Sequence, residues 1–224
     1  MTTRTLRGRR RQRGQALIEC GIFFTSLIFL VLGTINIGTV LNDHVSIVYS
    51  VRQGARTAAV LGNQGGTNGT AADCAVIGAI DAALAGMPNL QIWEIVIYKA
   101  GANGKPVDNT TMDSYGGNAT CGMVNGAATI SPGTCPTPAQ IALQYACGQQ
   151  GYLPANRNNQ AYVEDSVGVM VVYTYSYQAP WIPFLGSFNS SDYSVYPVDP
   201  VALPSPLPTP TPACTNPPPG STCP

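Results

Sequence analysis

Hydrophobic positions fall into one long block and then into short periodic runs. Residues 20–41 form 22 consecutive residues without a charge, and Asn36 is the only strongly polar side chain among them. As a helix they reach ~33 Å, enough for the ~30 Å hydrocarbon core of a bilayer. Beyond them, Leu41, Val45, Val48, Ala55 and Ala59 recur at helical spacing, with Asp43, Ser46, Ser50, Gln53 and Thr57 on another face. No proline occurs before Pro88. The pattern predicts one helix over 15–61, with a membrane span of about 17–41 and a second half that projects into a folded domain. A secretory signal peptide would have a shorter apolar region and would not continue into such a pattern.

The remainder predicts a small α+β unit over 62–196. Glycines in 62–69 break the first helix, and Thr70-Ala71-Ala72-Asp73 has the form of a capping box. Val76, Ile77, Ile80, Ala83 and Leu84 then make the apolar stripe of a second helix, stopped by Gly86 and Pro88. Residues 91–99 predict a strand with Trp93, Ile95 and Ile97 toward the core. Residues 100–135 suggest a long irregular insertion, with turns at Asn103-Gly104 and Asn125-Gly126. Thr137, Pro138, Ile141, Tyr145 and Gly148 predict a third helix. Residues 163–177 alternate most clearly, Val167, Val169, Val171, Tyr173, Tyr175 and Tyr177 sharing one face. A short strand is expected near Tyr193–Tyr196. The expected fold class is α+β: a long N-terminal helix, two short helices and an antiparallel sheet.

Composition adds two things. Of the last 28 residues, 197–224, 11 are proline, so that stretch predicts an extended Pro-rich tail. The net charge of the 224-residue chain is zero, but six of its 11 basic residues lie in the leader 1–14, which holds no acid. From Gln15 onward, 5 basic residues face 11 acidic ones, a balance of −6. A leader of this kind is retained in the cytoplasm, which places the following domain outside it. Basic residues confined to a tail give no nucleic-acid-binding face.

Catalytic chemistry finds little footing. His44 is the single histidine and no Cys-x-x-Cys occurs, so a His dyad, a His-rich metal site or a Ser-His-Asp triad would have to use that residue or fail. No cofactor or metal site is expected. A hydrolase would have to pair Glu164 or Asp165 with Asp192 or Asp199, yet neighbours on a strand point to opposite faces. Of seven cysteines, Cys20 lies in the apolar helix and is expected to be unpaired. Cys74, Cys121, Cys135, Cys147, Cys214 and Cys223 suggest up to three disulfides in an oxidising compartment. Among the 15 connectivities that six cysteines allow, the expectation is Cys74–Cys147, Cys121–Cys135 and Cys214–Cys223.

Two segments carry a family resemblance. Arg13-Gly14-Gln15-Ala16-Leu17-Ile18-Glu19 is a basic leader ending in glycine, with a glutamate five residues on at the start of an apolar helix. It resembles the prepilin processing site of type IV pilin-like proteins. Arg52-Gln53-Gly54-Ala55-Arg56 resembles the Arg-x-Gly-Ala-Arg element that ends the first helix of TadE-like proteins of the tight-adherence (Flp) pilus system. Together the segments and their spacing cover about 50 residues. The resemblance implies cleavage after Gly14 by a prepilin peptidase, a new N-terminus at Gln15, and a subunit-assembly role for Glu19 beside the amine of a neighbouring subunit. It also implies other pilin subunits and a pilus assembly platform as partners, and the lipid bilayer as surroundings, for a chain that is not an enzyme. Arg52 and Arg56, four residues apart on one helical face, are either a solvated basic face or a docking edge. The rival expectation is an uncleaved, single-pass surface protein whose Tyr-bearing domain acts as an adhesin.

Overall fold

The computed structural model describes residues 6–62, 70–125, 127–141, 145, 147–160, 163–176 and 186–199, with side chains from Gly14 onward. The elements are α1 (Leu6–Leu61), α2 (Ala71–Leu84), β1 (Leu90–Lys99), β2 (Met112–Gly116), β3 (Thr120–Val124), β4 (Ala127–Ser131), β5 (Ser166–Tyr175) and β6 (Phe188–Pro197). Strands β2-β1-β5-β6 form one antiparallel sheet in that order, and β3-β4 form a separate hairpin. The α+β expectation with a long apolar N-terminal helix therefore holds. Helix α1 begins nine residues earlier than expected, because the leader contains good helix formers and no proline.

One face of the sheet is the main core. Ile95, Ile97, Val167, Val169, Val171, Tyr173 and Tyr175 pack there against Ile47, Val51, Ala55, Ala58 and Ala59 of α1 and Val76, Ile77, Ile80 and Leu84 of α2. The Val- and Tyr-bearing face of β5 is thus a core face. The other face holds a smaller cluster of Val96, Tyr98, Ala100, Met112 and Met170. Tyr98 lies over Gly168, where an added Cβ would come within 2.3 Å of its ring, and its hydroxyl donates to the Gly104 carbonyl at 2.8 Å. The two central strands, β1 and β5, are consequently apolar on both faces over much of their length.

Several local expectations are corrected. Trp93 does not join Ile95 and Ile97 on the main core face. The register slips between Ile92 and Glu94, and this β-bulge turns Trp93 to the other side, where its indole N–H donates to Thr174 Oγ1 at 2.6 Å. Thr70 precedes α2 but makes no side-chain cap; its hydroxyl donates to the Ala128 carbonyl of β4 at 2.9 Å. The stretch 100–135 is not irregular throughout, since it supplies β2 and the β3-β4 hairpin, whose turn holds Asn125 at φ 51°. The last strand is 10 residues long, well beyond Tyr193–Tyr196.

Of the expected third helix, residues 137–141, 145, 147 and 148 are described and form no α-helix, while 142–144 and 146 lie outside the described residues. Thr137 heads a single turn, its carbonyl accepting from the Gln140 and Ile141 amides at 2.9 and 3.1 Å. The reason is covalent. Cys135 and Cys147 are bonded with their Cα atoms 5.6 Å apart, whereas a straight helix across that interval would separate them by ~15 Å or more. The second disulfide joins Cys74 of α2 to Cys121 of β3, because the hairpin lies beside α2. The expected pairs Cys74–Cys147 and Cys121–Cys135 are replaced accordingly. Cys20 is free and exposed. Cys214, Cys223, the Pro-rich tail beyond Asp199 and the expected apolar turn 179–185 lie outside the described residues.

Candidate functional site

Among the described residues the apolar half of α1 is exposed from Gly14 to Val31, and only toward its end does it meet the domain, where Val40 packs against the core. Leu17 is 76% and Phe23 67% exposed, and Ile22, Phe24, Leu30 and Ile35 are also exposed. Among the described residues this is the one helix long and apolar enough to cross a membrane. Its polar side chains turn back onto the helix. Thr25, Ser26, Thr34 and Thr39 donate their hydroxyls to carbonyls three or four residues earlier, and Asn36 Nδ2 donates to the Leu32 carbonyl at 2.9 Å. Such back-bonding removes part of the cost of placing these groups in an apolar medium.

Gly14, Gln15 and Glu19 lie on this exposed stretch. Gln15 Nε2 donates to Glu19 Oε1 at 3.1 Å, the i,i+4 contact of one helical face. The second carboxylate oxygen has no donor among the described residues. Gly14 has open space where a Cβ would stand and sits inside the helix, with regular turns on both sides.

The other half of α1 enters the domain. Its buried residues are Ile47, Ser50, Val51, Gly54, Ala55, Ala58 and Ala59, a stripe of alternating steps of three and one. This corrects the expected stripe: Ala55 and Ala59 belong to it, but Leu41 and Val45 are 59% and 67% exposed. At 100° per residue, Val45 points about 160° away from Ile47. Ser50, placed on the polar face, is buried and donates to the Ile47 carbonyl at 2.8 Å. Polar contacts mark the entry point. Tyr175 donates its hydroxyl to Asp43 Oδ2 at 2.8 Å, and His44 Nδ1 lies 3.6 Å from Asp192 Oδ2, which also accepts from the Tyr173 hydroxyl. Burial, with the Asp43 contact second, pushes the Tyr175 hydroxyl up to about 12.

The segment Arg52–Arg56 divides between inside and outside. Arg52 and Arg56 are exposed and form no ion pair among the described residues. Gly54 faces inward at the crossing with α2, where a Cβ would stand 2.9 Å from Ile80 Cδ1 and Cγ1 and 3.6 Å from Val169 Cγ1. Glycine followed by alanine lets α1 approach α2 and β5 closely while the arginines remain in solvent.

A buried charge network lies on the far side of α2. Arg157 and Asp73 have fully buried side chains and are ion-paired through Nη2 and Oδ1, with Asp113 Oδ2 3.9 Å from the same guanidinium nitrogen. The Tyr115 hydroxyl donates to Asp73 Oδ2 at 2.9 Å and the Tyr152 amide to Asp113 Oδ1 at 2.9 Å. The Arg157 guanidinium sits 5.2 Å from the Tyr152 ring centroid. Tyr152 in turn donates to Asp165, which pairs with Lys99 at 2.7 Å. Two carboxylates face one cation here. Burial, and then the neighbouring Asp73, push the Asp113 carboxyl up to about 8. Burial likewise raises Glu94, against the lowering effect of the Ser114 hydroxyl that donates to it at 2.6 Å. The network ties α2, β2 and the segment 152–157 together.

The carboxylates weighed for hydrolysis have these surroundings: Asp165 is held by Lys99, Tyr152 and the Asn158 amide, and Asp192 by Tyr173 and His44. Sequence reasoning missed Asp73, Asp113 and Arg157 as a set. Asp73 was assigned to a cap, and the available signal was Arg157 itself, one of only five basic residues after Gln15. Comparison of the chain with models of protein families, with curated proteins and with solved structures returned no match.

Proposed function

We propose that this chain is a TadE-like minor pilin or pseudopilin, a single-pass membrane protein that takes part in building a Tad/Flp-type pilus or secretion filament. In this reading a prepilin peptidase cuts after Gly14, and the domain beyond residue 61 lies outside the cytoplasm. The apolar N-terminal halves of several subunits bundle, and Glu19 offsets the charge of the Gln15 amine of a neighbour. Two opposite charges in a low-dielectric place favour each other far more than either favours lipid. The domain, rigidly joined to α1, then determines which subunit docks next.

The observation that supports this most is the position of the two motifs on one unbroken helix. Gly14–Glu19 stand at the start of its exposed apolar half, and Arg52–Arg56 stand where it is embedded in the domain. The free oxygen of Glu19 suits a donor from another chain. The test is the mature N-terminus, by intact mass and N-terminal sequencing of protein extracted from its native membrane. A start at Gln15 supports the reading. An uncut leader, in cells whose prepilin peptidase is active, overturns it and leaves an anchored surface protein.

A further inference from the structure

A cleft opens beside the β-bulge, with a volume of about 250 Å³. Gln91, Trp93, Asn118, Thr134 and Gln140 line it together with the Gly117 backbone. None of these side chains is ionisable. We propose that the cleft binds one ring of a neutral saccharide.

The bulge creates the site by turning Trp93 away from the main core. The indole is then fixed by its N–H bond to Thr174 Oγ1, whose own hydroxyl donates to Asn189 Oδ1. Gly117 donates its amide to the Trp93 carbonyl at 2.9 Å, and a Cβ at Gly117 would stand 2.1 Å from the Ile92 carbonyl oxygen. A glycine backbone is therefore required beside the bulge. The opposite rim is held as firmly. Asn118 Oδ1 accepts the Thr134 amide at 2.7 Å, and the Cys135–Cys147 disulfide anchors the next residue. Gln140 Oε1 accepts from the Thr137 amide and hydroxyl at 2.8 and 3.0 Å. These bonds occupy the amide oxygens of Asn118 and Gln140 and leave their NH₂ groups as donors, while Gln91 offers both a donor and an acceptor.

An aromatic surface ringed by uncharged amides matches a sugar ring, which presents apolar C–H faces and hydroxyls that both donate and accept. Among the described residues the lining holds no cation, which gives an acidic or phosphorylated ligand nothing to pair with. The volume is just below the ~300–1,000 Å³ of small-molecule pockets, which limits the occupant to one ring at a time. Pre-formed walls lower the ordering cost of binding. The inference goes beyond the pilin reading and is independent of it, since the cut and uncut chains carry the same cleft.

The test uses the full chain in lipid nanodiscs without glycoside detergent, in a Trp181→Phe background so that Trp93 is the only indole. Fluorescence is followed during titration with triacetylchitotriose, maltotriose and, as an acidic probe, sialyllactose. A saturable shift with a neutral trisaccharide at a Kd of about 1 mM is expected, as is weakening of about threefold to tenfold by Gln91→Ala, the loss of one hydrogen bond. Gln91 is exposed, so this variant keeps the fold, whereas Trp93→Ala, followed by calorimetry, is expected to lose binding. The proposal is overturned if neither neutral sugar saturates, if sialyllactose alone binds, or if Gln91→Ala binds as the parent does.

Discussion

Replacing Arg157 by leucine removes the cation that, among the described residues, stands alone between Asp73 and Asp113, both of which stay buried. Truncating one partner of a buried ion pair costs ~3–5 kcal/mol, because the remaining charge has neither water nor a counter-charge. Loss of the guanidinium over Tyr152 adds ~0.5–2 kcal/mol. Taking about 5 kcal/mol as the sum, and ~2–4 °C per kcal/mol for a chain of this size, the melting temperature should fall by ~10–20 °C. Near-UV circular dichroism of the full chain in nanodiscs at pH 7 measures this. Adding Asp73→Asn to Arg157→Leu removes the stranded charge while keeping an acceptor for the Tyr115 hydroxyl, and Asp113, pushed up to about 8, holds its proton at pH 7, so most of the loss should be recovered. A fall below ~1 kcal/mol for Arg157→Leu, or equal melting of the single and double variants, would refute the account.

The remaining predictions concern other contacts. Asp113 holds its proton more tightly in the folded than in the unfolded chain, so its contribution is full below the ordinary carboxylate range near 4 and is lost as pH rises to about 8. Asp113→Asn should therefore flatten the stability–pH curve in that window, where one proton gives a slope of up to ~1.4 kcal/mol per pH unit; an unchanged slope in thermal melts counts against it. Gly54→Val should cost ~1–3 kcal/mol by crowding Ile80, while Gly54→Ala stays near neutral, since its gain of ~1 kcal/mol in helix propensity offsets the squeeze. Chain-entropy arithmetic assigns ~4 kcal/mol to the Cys74–Cys121 bond, spanning 47 residues, and ~3 kcal/mol to Cys135–Cys147, spanning 12. Paired Cys→Ser variants compared by thermal melts should keep that order.

Elements with strong periodicity were legible from residues alone. The apolar block of α1 is one helix, largely exposed, and the Val76-Ile77-Ile80-Leu84 stripe and the Val167-to-Tyr175 face of β5 are buried in the core. What was hidden depended on contacts distant in the chain. The bulge at Trp93 arises from pairing with β5, which no local pattern in 91–99 records. Cys74 meets Cys121 only because the β3-β4 hairpin packs on α2, and the Cys135–Cys147 bond overrides a segment that carries helix signals at both ends. Asp73 is chemically suited to a first-turn cap, yet Arg157, 84 residues away, captures it. The spacing of Gly14, Glu19, Arg52 and Arg56 could be read directly, but the reason for Gly54 could not: it required the position of Ile80.

Because α1 runs without a break from its exposed apolar half into the core, the domain has no joint of its own. From Gly14 to Leu61 the helix spans 48 residues, a rod of ~72 Å. With its apolar half seated in lipid, a tilt of ~20°, ordinary for such helices, would swing the far ~30 Å sideways by ~10 Å. Rotation about the rod axis would likewise turn the sheet through the same angle. The orientation of the sheet, its bulge and its cleft thus follows the tilt and rotation of the apolar half of α1.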